Sequence, residues 1–149
     1  MTTTDDHDRI GGSTMAVLPI EETFLAGIHE HIVRHDDGRL TCDLPVGTHL
    51  LQPMGIVHGG VYASIAETLA SMGSAFAVGV DSGMVVMGQS NNTTFLRSVR
   101  TGTIRATATP RHKGRTTMVW QIDMLDDSDK LCATSQVTIA VRPMRPAAG

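Results

Sequence analysis

The sequence predicts an α+β domain in which one long helix lies across an antiparallel sheet of five or six strands. Three observations carry this. A single stretch, Gly60 to Val78, has helical apolar spacing. It lies between a strand pair and four further strands rich in Val, Ile and Thr. Short, turn-rich connectors join those strands, which favours antiparallel neighbours with one covered face.

From the N-terminus, residues 1–14 read as a disordered polar tail, and residues 15–145 as the single domain that 149 residues suit. Met15 to Ala26 is apolar enough for a modest helix beginning near Pro19. Ile28 to His35 and Leu40 to Val46 flank Asp36-Asp37-Gly38, a turn signal with glycine placed for positive φ, and predict a hairpin. In its second strand Leu40, Cys42, Leu44 and Val46 alternate with polar neighbours, so one face is buried. Along the long helix Val61, Ile65, Leu69, Met72 and Phe76 fall within about a quarter of the circumference and form the stripe expected to be buried. The later strands are Met84 to Val99, Thr103 to Pro110, Thr116 to Leu125 and Leu131 to Val141. Met118, Trp120, Ile122 and Met124 share one strand face; Leu131, Ala133, Val137, Ile139 and Val141 share another. The last residues, from Arg145, are expected to fray.

The formal net charge of −3 gives no reason to expect nucleic acid or a membrane as partner. Its distribution is uneven. Residues 1–81 hold three Lys or Arg against eleven Asp or Glu, and residues 82–149 hold nine against four. A basic second half suits an anionic ligand, as it also suits a solvated strand face. Cys42 and Cys132 are far apart without CxxC spacing, which favours a reducing, cytoplasmic setting over a disulfide framework or a zinc site. No basic region followed by an apolar run marks a secretory signal. His29, His31 and His35 alternate along a strand, but no carboxylate or cysteine has ligand spacing with them, so a polar strand face is the better reading.

Glu67 is the only Asp, Glu, Lys or Arg between His58 and Val80. Its helix face carries Gly60, Ala63, Ser64, Ser71 and Ser74, where a solvated face normally holds long charged side chains. Small residues let another backbone or subunit approach closely, which would enclose the carboxylate at an interface. The glutamate, serines and glycines argue against a membrane span. The loop before the helix, Gln52 to Gly60, ends in His58-Gly59-Gly60. Backbone N–H groups there lack intrahelical partners and sit at the positive end of the helix dipole. That is a place to hold a carbonyl oxygen as it becomes an oxyanion.

Three stretches stand out together: Gly55-Ile-Val-His-Gly-Gly-Val-Tyr-Ala-Ser-Ile-Ala-Glu67, Gly88-Gln-Ser-Asn-Asn-Thr-Thr-Phe-Leu-Arg97, and Leu131-Cys-Ala through Ile139-Ala-Val-Arg-Pro143. They resemble the hotdog-fold acyl-CoA thioesterases, including the phenylacetate-pathway type and above all the glutamate-dependent 4-hydroxybenzoyl-CoA thioesterases. The likeness spans about residues 25–145 and implies a hotdog fold, a helix wrapped by the sheet. It implies hydrolysis of an aromatic acyl-CoA, with Glu67 as nucleophile or general base and the Gly59 N–H polarising the thioester carbonyl. Gln52 would position the acyl group or water, and His58 would orient the loop. Ser71, one turn after Glu67, stands where threonine is expected. The hydroxyl is retained without the methyl, so water binding survives and acyl fit changes. The resemblance also implies a homo-oligomer, a tetramer built from dimers, with sites between subunits. Arg97, Arg115, Thr116 and Arg145 become candidates for the phosphates of the substrate's coenzyme A, since guanidinium groups donate paired hydrogen bonds in a plane. No metal or separate cofactor is called for.

Two other readings stay open at this level. A hotdog module could bind acyl-CoA without turning it over, and a hotdog hydratase could use His58 with Glu67 on the acyl carbons. The Gln52, Gly59 and Glu67 constellation favours the thioesterase. Tyr62 and Phe76 could shape an acyl pocket, although core packing is the commoner role of aromatic residues at helical spacing.

Overall fold

The computed structural model describes residues 18–27, 32–79 and 81–144. Among them are six strands and one α-helix: β1 Ile32–Asp36, β2 Arg39–Pro45, α1 Gly59–Val78, β3 Met84–Phe95, β4 Thr103–Lys113, β5 Thr117–Leu125 and β6 Leu131–Pro143. The segment expected to form a modest N-terminal helix is instead two short 3-10 turns, Ile20–Glu22 and Phe24–Gly27; residues 15–17 lie outside the described residues. The break falls at Thr23, which is extended at φ −114° and ψ 170°. Its hydroxyl donates to the Ile20 carbonyl at 2.7 Å and accepts from the Leu25 N–H at 3.3 Å, so the side chain competes with helical bonding.

The β1–β2 hairpin turns where the Asp-Gly signal lies. Asp37 and Gly38 both have positive φ, 47° and 75°, the conformation whose twist matches that of two paired strands. Residues 28–31 of the expected first strand lie outside the described residues. The strands form one sheet in the order β1-β2-β4-β5-β6-β3, every pair antiparallel. Because β3 joins at β6, the two strands flanking α1 in sequence are far apart in the sheet, and β3 is an edge. The sheet curls around α1, the hotdog arrangement.

The buried arc of α1 differs from the expected stripe. Tyr62, Ile65, Ala66, Leu69, Ala70, Gly73 and Ser74 are buried, whereas Val61 and Met72 only flank the core and Phe76 is 48% exposed, stacked on His35. Trp120 of β5 is the reason. A Cβ at Gly73 would collide with its ring, and its indole N–H donates to Ser74 Oγ at 2.8 Å. The helix therefore turns small residues toward the sheet to admit the indole, as dense packing requires. Ser74, two turns beyond Glu67 on the same side of the helix, is buried against this ring. By length and hydropathy α1 would suit a bilayer crossing, but its buried arc is covered by the sheet.

Elsewhere the alternation holds. Leu40, Cys42 and Leu44 of β2 and Met118, Trp120, Ile122 and Met124 of β5 are buried together. At the start of β6 the alternation breaks: Leu131 is 38% exposed, while Cys132 and Ala133 are both buried. A register shift at Met124/Leu125 accounts for two consecutive inward residues.

Candidate active site

The loop before α1 is tied down by its own backbone. Gln52 N–H donates to Ile56 O and Gly55 N–H to Gln52 O, both at 2.8 Å, while Val57 and His58 donate to Val99 and Leu50. Gln52 Oε1 accepts from the Met54 N–H at 2.9 Å, which leaves its Nε2 as a donor. His58 is the N-cap of α1: its Nδ1 accepts from the Gly60 N–H at 2.9 Å. The Gly59 N–H has no hydrogen bond among the described residues and remains available at the positive helix end. A Cβ at Gly59 would meet the Phe95 ring at 2.8 Å, so packing also demands glycine there.

Gln52, Gly59, Tyr62, Phe95 and Arg97 line a cavity of about 370 Å³. Burial raises the Tyr62 phenol well above its ordinary range, with the Cys132 thiol beside it adding to the effect. Tyr62 thus presents a neutral aromatic wall. Phe95 stands 6.0 Å away, centroid to centroid, tilted at 44°.

Glu67 is half-buried against β3. Asn91 Nδ2 donates to its Oε2 at 3.2 Å and to the Ala63 carbonyl at 2.9 Å. A Cβ built at Gly88 would fall on Oε1. A bulge between Gly88 and Ser90 lets these two residues, three apart, both meet the helix. Glu67, Asn91, Ala63, Thr68 and Leu25 line a second cavity of about 350 Å³. Neither Gly88 nor Asn91 stands out from the sequence as a site residue, although a glycine inside a strand is a recognised sign of close approach. Gly88→Ala is expected to fold but to lose at least about tenfold in kcat, because the flexible carboxylate, not the backbone, must give way. Steady-state turnover beside a thermal melt checks this; wild-type kcat would show that the Oε1 position does not matter.

One chain does not gather all the candidate residues. Gly59 and Glu67 are eight residues apart on α1, about 12 Å along its axis, and line different cavities. Ser71 is half-buried one turn beyond Glu67 and lines neither cavity. Arg97 lies with Gly59, its N–H donating to Cys132 O. Arg115 and Thr116 are exposed at the β4–β5 turn, where the Thr116 carbonyl accepts from the Val141 N–H. Cys132 and Val141 are separated by nine residues of β6, about 30 Å, so Arg97 and Thr116 sit at opposite ends of the sheet. Arg145 lies outside the described residues. No group of three or more potential metal ligands occurs among the described residues.

Residues 54–133 match the thioesterase superfamily. A 1,4-dihydroxy-2-naphthoyl-CoA hydrolase of Listeria monocytogenes is 38% identical over 114 residues, 76% of this chain and 91% of that one. Among solved structures, a Haemophilus influenzae thioesterase superposes with a TM-score of 0.78 at 30% identity, covering 87% of this chain and 90% of that one. A glutamine-to-alanine variant of a Pseudomonas aeruginosa thioesterase gives 0.78 at 32% identity, covering 84% and 89%. The chain belongs to the thioesterase superfamily and has its hotdog fold. It is a thioester hydrolase acting on acyl-CoA-like substrates.

Proposed function

We propose that the protein hydrolyses aromatic acyl-CoA thioesters, of 4-hydroxybenzoyl-CoA type, to the free acid and CoA. In this reading the Glu67 carboxylate of one subunit attacks, or directs water onto, a carbonyl held by the Gly59 N–H of the partner subunit. The observation that carries it is the separation within one chain. An oxyanion donor and a carboxylate about 12 Å apart on one rigid helix cannot share a carbonyl. The edge strand β3 supplies a way to unite them: its run Gly88–Asn92 is exposed, and among the described residues no strand pairs with it on its outer side. Antiparallel pairing of two such edges about a two-fold axis near Asn92 would set the Gly88 end of one subunit beside the Phe95 end of the other. Glu67 stands at the first end and Gly59 at the second. The same axis would bring Arg115 and Thr116 of one subunit toward Arg97 of its partner, where coenzyme A phosphates would meet them. A tetramer would consist of two such dimers.

Gln52 Nε2 is the free donor for the acyl carbonyl or water, and His58 serves by capping Gly60 so that Gly59 stays open. Tyr62 and Phe95 give the first cavity its aromatic walls, which favours a planar acyl group. The unbridged, buried thiols of Cys42 and Cys132 suit the reducing cytoplasm proposed as its location.

A panel of aromatic and straight-chain acyl-CoAs, followed by thiol-trapping of released CoA, tests the acyl class. Aromatic thioesters are expected to show the higher kcat/KM by about tenfold or more. A preference for straight chains would overturn the aromatic assignment while leaving the hydrolase intact.

A further inference from the structure

Only two polar residues are fully buried among the described residues, Ser74 and Ser135. Ser74 is explained by Trp120. Ser135, on β6, is 1% exposed and faces Thr93, its register partner on β3, with the two hydroxyl oxygens 2.8 Å apart. Thr93 Oγ1 in turn donates to Asn91 Oδ1 at 2.8 Å. The side chains of Asn91, Thr93 and Ser135 therefore connect, without a gap, to Glu67.

The direction of this chain is forced. The Ala63 carbonyl and the Glu67 carboxylate are both acceptors, so the Asn91 group facing them must be the NH2 end. Both of its hydrogens are then used. The amide oxygen faces Thr93, whose single hydroxyl proton goes to it. Ser135 must consequently be the donor in its contact with Thr93. Each member has one role, and the last donor points at Oε2 of Glu67. Gly88 bounds the other oxygen, since any side chain there would overlap Oε1.

We infer that Ser135, Thr93 and Asn91 form a one-way hydrogen-bond relay that sets the orientation of the Glu67 carboxylate. They are positioning residues, with no contact to the substrate. Glu67 has three rotatable side-chain bonds, and fixing them before the thioester arrives removes a cost that the reaction would otherwise carry. The inference rests on the proposed role of Glu67 in hydrolysis, and its test separates the two.

Thr93→Val keeps the shape of the side chain and removes the hydroxyl, freeing the Asn91 amide to flip. It is expected to lower kcat by about tenfold with KM unchanged, and Thr93→Ser is expected to restore kcat. In a Glu67→Ala background, Thr93→Val should have no further effect on the residual rate, because the relay works only through Glu67. The Asn91 side-chain amide resonances give a readout independent of activity. They should shift in Glu67→Ala and in Thr93→Val, and return toward wild type in Thr93→Ser. Wild-type kcat in Thr93→Val, failure of serine to rescue, or amide signals indifferent to Glu67→Ala would each overturn the relay. Full turnover in Glu67→Ala would instead overturn the catalytic role of Glu67, with the amide signals still reporting whether the relay reaches it.

Discussion

Glu67→Ala is expected to lose at least about 10²- to 10⁴-fold in kcat, the range associated with a positioned acid–base group, and to fold as well as the wild type. The fold should survive for local reasons. Glu67 is half-buried and accepts a hydrogen bond from Asn91, an exposed side chain that keeps its second bond to the Ala63 carbonyl. Alanine is also the better helix former at a mid-helix position. Catalysis should not survive, because Glu67 is the only carboxylate on α1 and, among the described residues, no other Asp or Glu lines its cavity. Glu67→Asp should be severely impaired too. It keeps the charge but withdraws the carboxylate toward the helix, away from both Asn91 and the carbonyl. CoA release measured beside a melting curve decides the matter: turnover within tenfold of wild type in the alanine variant removes Glu67 from the mechanism.

Mixing two inactive proteins is expected to restore activity. Gln52 lies with the open Gly59 N–H, and Glu67 lies two helical turns away in the other cavity. If each working site draws Gln52 from one subunit and Glu67 from its partner, a heterodimer of Gln52→Ala with Glu67→Ala holds one site with both defects and one with neither. Random re-pairing of equal amounts, after mild dissociation, makes about half the dimers mixed, each with one sound site of two, so about a quarter of wild-type activity should return. Either variant alone should stay inactive under the same treatment. A mixture no more active than its components would mean that both residues serve one carbonyl from the same chain, and the two-fold arrangement about β3 would fall. Light scattering on the same samples reports whether dimers or tetramers are present.

Parts of this protein are legible in its sequence alone. The 3.6-residue apolar spacing placed α1 within a residue of its start, and Asp37-Gly38 located the hairpin because few residues tolerate positive φ. Glu67 stood out because a lone charge among glycine, alanine and serine is unlike a solvated helix face. Gly59 stood out because helix starts leave N–H groups unpaired.

Other features were set by contacts between distant parts of the chain. Helical periodicity identified a stripe, but the arc that is buried follows Trp120, 46 residues from Ser74, whose indole needs small neighbours. The placement of β3 beside β6, and hence its exposed edge, depends on pairings that no local pattern encodes. Asn91 and Gly88 reach Glu67 only because a bulge brings residues three apart to the same side of the strand. The sequence by itself determined the long helix, the strands and the isolation of the Glu67 carboxylate among small residues. Tertiary structure alone decided what faces that carboxylate, because period and propensity act within a segment whereas register and packing act between segments.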